Sequence, residues 1–139
     1  MDVEVNLVGV AAATVAAMVV GSIWYHESVF GKEWMKLAKV DKKKAQKEGP
    51  KAMLAMLVLA VFAAYALAWF TFATSVVLQE DSYMAAAVQT SLMVWVGFIL
   101  YAAAGAIFEQ RPQRLVMINL GNSLVTFLAM GLALGAVGL

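Results

Sequence analysis

Residues 52–79 read AMLAMLVLAVFAAYALAWFTFATSVVLQ, 28 positions without a charge. A bilayer core of about 30 Å takes roughly 20 helical residues at about 1.5 Å each, so this run can cross one and still tilt or reach past it. Its Ala, Leu and Met, without period-two alternation, favour helix over strand. Working outward, the same reading applies to 7–25 (19 residues), 83–108 (26 residues) and 115–139 (25 residues). The expectation is an all-α, integral membrane four-helix bundle forming one transmembrane domain over 1–139. The first run is expected to be retained: it follows Asp2 and Glu4, whereas a cleaved leader carries a positive front.

Composition points the same way. Of 139 residues, 63% are hydrophobic and 14% charged, against about 45–50% and 25% in soluble domains. Too little polar surface is present to coat a globule of this size in water. A soluble enzyme, a nucleic-acid binder and a disordered chain are therefore poor fits. With no cysteine and one histidine, a disulfide frame, a thiolate site and a self-contained histidine metal site are not expected. No metal or cofactor is predicted.

The charges are unevenly placed. Lysines 32, 36, 39, 42, 43, 44, 47 and 51 fall in one stretch, and Arg111 and Arg114 in the turn after the third run; these are all ten basic residues. The turn Glu80-Asp81-Ser82 is acidic. An even number of spans separates the two basic loops, so the positive-inside tendency predicts both in the cytoplasm and both termini outside, in the cytoplasmic membrane. The short second turn predicts a tight antiparallel hairpin of spans two and three. In the basic loop, 26–50, Trp34, Met35, Leu37, Ala38 and Val40 alternate with lysines. That pattern predicts a short interfacial helix over Lys32–Val40, with a solvated lysine loop as the alternative. Asp41–Gly49 reads as exposed and helical or frayed, and Gly49-Pro50 as a break that starts the second span.

Helix association in lipid relies on close approach over small residues. Span one carries Gly9, Ala13, Ala17 and Gly21 at spacing four; span two has Ala52, Ala60, Ala64 and Ala68; span three has Gly97 and Gly105; span four has the pair Gly131 and Gly135. The ladder in span one is the most specific of these, and span one is expected to be a central packing face. Self-association, or packing with other membrane subunits, follows as an expectation. Trp24, Tyr25 and Trp34 read as interfacial anchors.

The middle of every span lacks ionisable side chains, so a carboxylate relay at mid-membrane is unsupported. Gln89, Asn119, Asn122 and Thr126 are the polar candidates for a cavity; Asn119 and Asn122 share a helical face with Thr126 one turn on. Hydrogen bonding between helices is the plainer role. His26, Glu27, Glu109, Arg111 and Arg114 gather at the ends of spans one, three and four, where Glu27 or Glu109 is expected to pair with an arginine. No serine or cysteine constellation accompanies His26, and no catalytic residue is assigned.

The chain resembles the domain of unknown function 1761 family of small membrane proteins. The motifs that carry the resemblance are Gly21-x-x-Trp24-Tyr25, Phe30-Gly31-Lys32-x-Trp34-Met35, Trp95-x-Gly97-Phe98, Phe108-Glu109-x-Arg111 and Ile118-Asn119-x-Gly121. After Gly121 this chain has Asn122 rather than an aromatic. The resemblance implies four spans and supplies no activity. The residues then support a structural or accessory membrane subunit first, and a transporter or channel for a small neutral or lipophilic solute second. A headgroup enzyme using Glu27, His26 and Glu109 comes last, lacking any nucleophile–base pair.

Overall fold

In the computed structural model, which describes residues 3–139, the helices are α1 (Leu7–Trp24), α2 (Lys32–Leu37), α3 (Lys42–Val77), α4 (Tyr83–Phe108) and α5 (Gln113–Val137). One π-helical turn, Glu27–Gly31, leads into α2. No strand occurs among the described residues. Asp2 of the acidic leading tail lies outside them. Helices α1, α3, α4 and α5 are long and apolar enough to cross a membrane. Their length and composition make this a multi-pass membrane protein.

Local chemistry sets the helix ends. Asn6 accepts from the Val8 amide, Asp41 from Lys43 and Lys44, and Ser82 from Ala85, each satisfying donors that a helix start leaves free. Helices α2, α3 and α4 close through left-handed residues, Lys39, Gln79 and Gln110. The next amide reaches back five residues in each case: Val40 to Met35, Glu80 to Ser75, Arg111 to Ala106.

The second span departs from its sequence reading. Helix α3 does not break at Gly49-Pro50 but runs unbroken for 36 residues with Pro50 inside. Proline removes the bond to the carbonyl four residues back, here Gln46. Residues 41–48 are exposed, so water can satisfy that carbonyl and the helix tolerates the ring. At about 54 Å, α3 is far longer than the bilayer core and projects at its lysine-rich end. The loop helix is also shorter than expected, six residues rather than Lys32–Val40.

The spans close in the order α1, α3, α4, α5, with α5 carrying the closest packing on both α1 and α4. The tightest pairs are thus α1–α5 and α4–α5, ahead of the α3–α4 hairpin. Val10, Ala13, Ala64, Leu67, Ala68, Ala87, Met130 and Leu134 form the core. All lie toward the end that holds the termini and the acidic turn. At the opposite, basic end the bundle opens: residues 51–59 of α3 are exposed at every position.

The small-residue motifs sort by what they face. On α1, Gly9 and Ala13 are buried, and a Cβ at Gly9 would lie 3.3 Å from Leu134. Ala17 packs against the core. Gly21, like Gly97 and Gly105, faces open space. On α5, Gly131 and Gly135 make the closest approaches, to Ala87 and Ser91 and to Met84 of α4. On α3, Ala60, Ala64 and Ala68 are buried while Ala52 is exposed.

Candidate functional site

Residues from α1, the π turn, α2 and the start of α5 meet at the basic end. Trp24 closes α1, and its indole donates to the Ile118 carbonyl at 3.0 Å. Gly121 makes room for it: a Cβ there would stand 2.9 Å from the Trp24 ring. The Tyr25 hydroxyl donates to Asn119 Oδ1 at 2.8 Å. Two bonds thus fix the end of α1 to one turn of α5.

The chain then folds back on itself. His26 is extended, and its Nδ1 accepts from the Ser28 amide, starting the π turn. Gly31 is buried and donates to the His26 carbonyl at 3.0 Å, the five-residue spacing of this turn. The reversal sets Phe30 against Trp24, ring centres 4.8 Å apart, and Trp34 edge-on to Tyr25 at 5.3 Å. Arg114 lies 5.9 Å from the Phe30 ring centre and grips Glu33 with two bonds, Nε at 2.8 Å and Nη2 at 3.2 Å. The lysine segment and the arginine turn therefore touch at one end of the bundle.

Arg114 holds the Glu33 carboxyl below the usual carboxylate range, chiefly through its hydrogen bond. A group with a lowered folded pKa contributes above its unfolded value and loses that contribution as pH falls through the folded one. Docking of α2 on α5 is therefore expected to hold at neutral pH and loosen below the carboxylate range. Tryptophan emission should shift red on acidification in the native chain. In Glu33→Gln the shift should already be present at neutral pH.

The remaining candidates are dispersed. Glu109 pairs with Arg111 at the exposed end of α4. Glu27 is exposed, in neither of the two ion pairs found among the described residues, and His26 acts as a cap. Gln89 stands apart from Asn119, Asn122 and Thr126: it lies toward the acidic end and donates to Glu80 at 3.4 Å. Thr126 is half-buried. Asn122 Oδ1 is buried without a hydrogen-bond partner, alone in this among the side-chain atoms of the described residues. Two surface grooves stand out, and none of these four residues lines either. Trp24 and Tyr25 are half-buried and turned onto α5, bonded to protein.

Sequence reasoning did not single out Glu33, one carboxylate among lysines with no spacing signal toward Arg114. Phe30 and Gly121 entered only through the family motifs. Three of those motifs, around Trp24, Phe30 and Asn119, converge on this one site. No curated protein and no solved structure matches the chain. Residues 8–135 match the family described as "Protein of unknown function (DUF1761)". That match spans nearly the whole chain, and the protein belongs to the DUF1761 family.

Proposed function

We propose that the protein is an accessory subunit of a membrane assembly, set in the cytoplasmic membrane with its basic end inside and both termini outside. The observation that carries this reading is the free half of α3. Residues 51–59 are exposed on all sides, while residues further along the same helix are buried in the bundle. Ala52 and Ala55 on that half allow another helix, from a second copy or a different subunit, to approach closely. The interior polar groups suit packing rather than passage. Trp95 donates to Ser123 at 2.9 Å, Thr90 to Thr74 at 3.0 Å, and Thr14 and Ser91 bond back to their own helices. The orientation is supported by all ten basic residues gathering at one end of the bundle, where Glu33 of the lysine-rich segment meets Arg114.

The chain has no cysteine, which makes single-site chemistry clean. Ala55→Cys in native membranes is expected to give a cross-linked dimer or a larger adduct, and native mass spectrometry an oligomer or a complex. A lone monomer in both would overturn the assignment. Lys44→Cys and Asp81→Cys should label from opposite sides of the membrane; labelling from one side would overturn the orientation.

Passage of a small neutral solute is a second reading, favoured by the unpartnered Asn122 Oδ1. Leaving such an atom buried costs about 1–3 kcal/mol. In a packing protein, Asn122→Leu should leave stability unchanged or raise it by about 1 kcal/mol. A clear loss of stability, measured by SDS-titration unfolding, would point to a hydrated polar site and favour the second reading.

A further inference from the structure

His26 anchors the turn between α1 and α2 through both its backbone and its ring. Its carbonyl accepts from the Val29 amide at 2.9 Å and from Gly31 at 3.0 Å. Its ring Nδ1 accepts from the Ser28 amide at 3.2 Å and stands 2.8 Å from the Ser28 hydroxyl. A ring nitrogen that accepts carries no proton, so the capping imidazole is neutral, with its hydrogen on Nε2. The residue is exposed, and protons from solvent reach it freely.

Protonation puts a hydrogen on Nδ1 and reverses its role. The Ser28 hydroxyl can rotate and accept, whereas the Ser28 amide is a donor only and loses its partner. The new charge also sits against amides at the start of a helical turn, where the backbone is already partly positive. Both effects oppose the turn. The turn sets Phe30 on Trp24, Trp34 on Tyr25 and Glu33 on Arg114, so what weakens it weakens the docking of α2.

The chain has one histidine and no cysteine. Carboxylates, lysines and tyrosines ordinarily titrate outside the range of about pH 5 to 8, and imidazole is the side chain that changes charge within it. Helices α1 and α2 pack on the turn. Helix α1 carries no charge and is capped by Tyr25. Helix α2 brings Lys32, Glu33 and Lys36, with Glu33 held by Arg114, and the turn itself has Glu27.

We propose that His26 is a proton-operated latch for α2, closed while the ring is neutral and released as the ring takes up its second proton. The docked form binds that proton less readily than the released form, so docking weakens as pH falls. Losing a capping side chain shifts a helix equilibrium by about 2- to 30-fold.

The test uses the full chain in micelles, with amide hydrogen exchange at Lys32–Leu37 expressed as protection factors, which remove the intrinsic effect of pH on exchange. Between about pH 7.5 and about pH 5.5, native protection should fall by about 2- to 30-fold. His26→Asn, a side chain that caps without titrating, should keep its protection at both values. His26→Ala should show the low protection at both. Equal native protection at the two values would overturn the proposal. So would a pH dependence that survives in His26→Asn, or native-like protection of His26→Ala at the higher pH. Both values lie above the carboxylate range, so loss of the Glu33–Arg114 contact, which comes at lower pH, is read separately.

Discussion

Gly131→Ala is expected to destabilise the bundle by about 2–3 kcal/mol, at the upper end of the usual cost of overpacking a filled interior. Gly131 is buried against α4, where Ser91 is fully buried. The Ser91 hydroxyl donates to the Ala87 carbonyl at 2.8 Å, and that bond lies directly against Gly131. A methyl group would fall on the hydroxyl and stand 2.9 Å from the Ala87 oxygen and 3.1 Å from Ser91 Cβ. The hydroxyl can rotate away; the carbonyl belongs to the α4 backbone and cannot. Helices α4 and α5 must therefore separate, and α5 also carries α1. SDS-titration unfolding should show the loss. Ser91→Ala alone should cost little, because its hydroxyl only bonds back to its own helix. The double variant should lose clearly less than the sum of the two single changes, since they share one contact. Gly21→Ala and Gly97→Ala, where a Cβ meets open space, should be neutral or slightly stabilising. A Gly131→Ala protein as stable as the native one would refute the α4–α5 contact.

The same glycines show how far the sequence could be read. Four spans were legible because an uncharged run of 19 to 28 residues states its own environment. Small residues at spacing four name a face, yet not the neighbour that covers it. The α1 ladder from Gly9 to Gly21 has the longest pattern, but its last member meets open space. The shorter Gly131–Gly135 pair makes the closest approach, which depends on how α4 crosses α5. The ends of the spans were legible from the charged turns, 83–108 to the residue, although Lys39, Gln79 and Gln110 adopt the closing left-handed turn without glycine to mark it. Gly49-Pro50, which reads as a stop, sits where exposed backbone can use water. At the basic end, Trp24, Tyr25 and Trp34 form a visible aromatic cluster, and aromatic belts explain it too readily. What turns Trp24 and Tyr25 inward is Ile118 and Asn119, each 94 residues further on. No local pattern encodes that meeting.

Gly31→Ala is expected to detach α2 from α5 while leaving the core at the far end intact. Gly31 has φ −59 and ψ −44, ordinary helical values, so its requirement is space and not backbone freedom. A Cβ would fall on the Tyr25 carbonyl and lie 2.8 Å from the His26 carbonyl carbon and oxygen. Every one of those atoms is backbone, so no rotamer change relieves the clash and the π turn must open. Opening it moves Phe30 off Trp24, Trp34 off Tyr25 and Glu33 away from Arg114, three contacts that depend on one reversal of the chain. With Glu33 and Arg114 both kept, hydrogen exchange at the Lys32–Leu37 amides reads the docking of α2 directly. Gly31→Ala should cut their protection by about 5- to 140-fold, the factor that overpacking of about 1–3 kcal/mol converts to. Tryptophan emission should shift red, as in Glu33→Gln. The SDS unfolding midpoint should move much less than for Gly131→Ala, because Val10, Ala64, Met130 and Leu134 pack at the opposite end of the bundle. If the protection of those amides were unchanged, the π turn could not be what holds α2 in place. If the unfolding midpoint fell as far as for Gly131→Ala, the two ends of the bundle would be one cooperative unit.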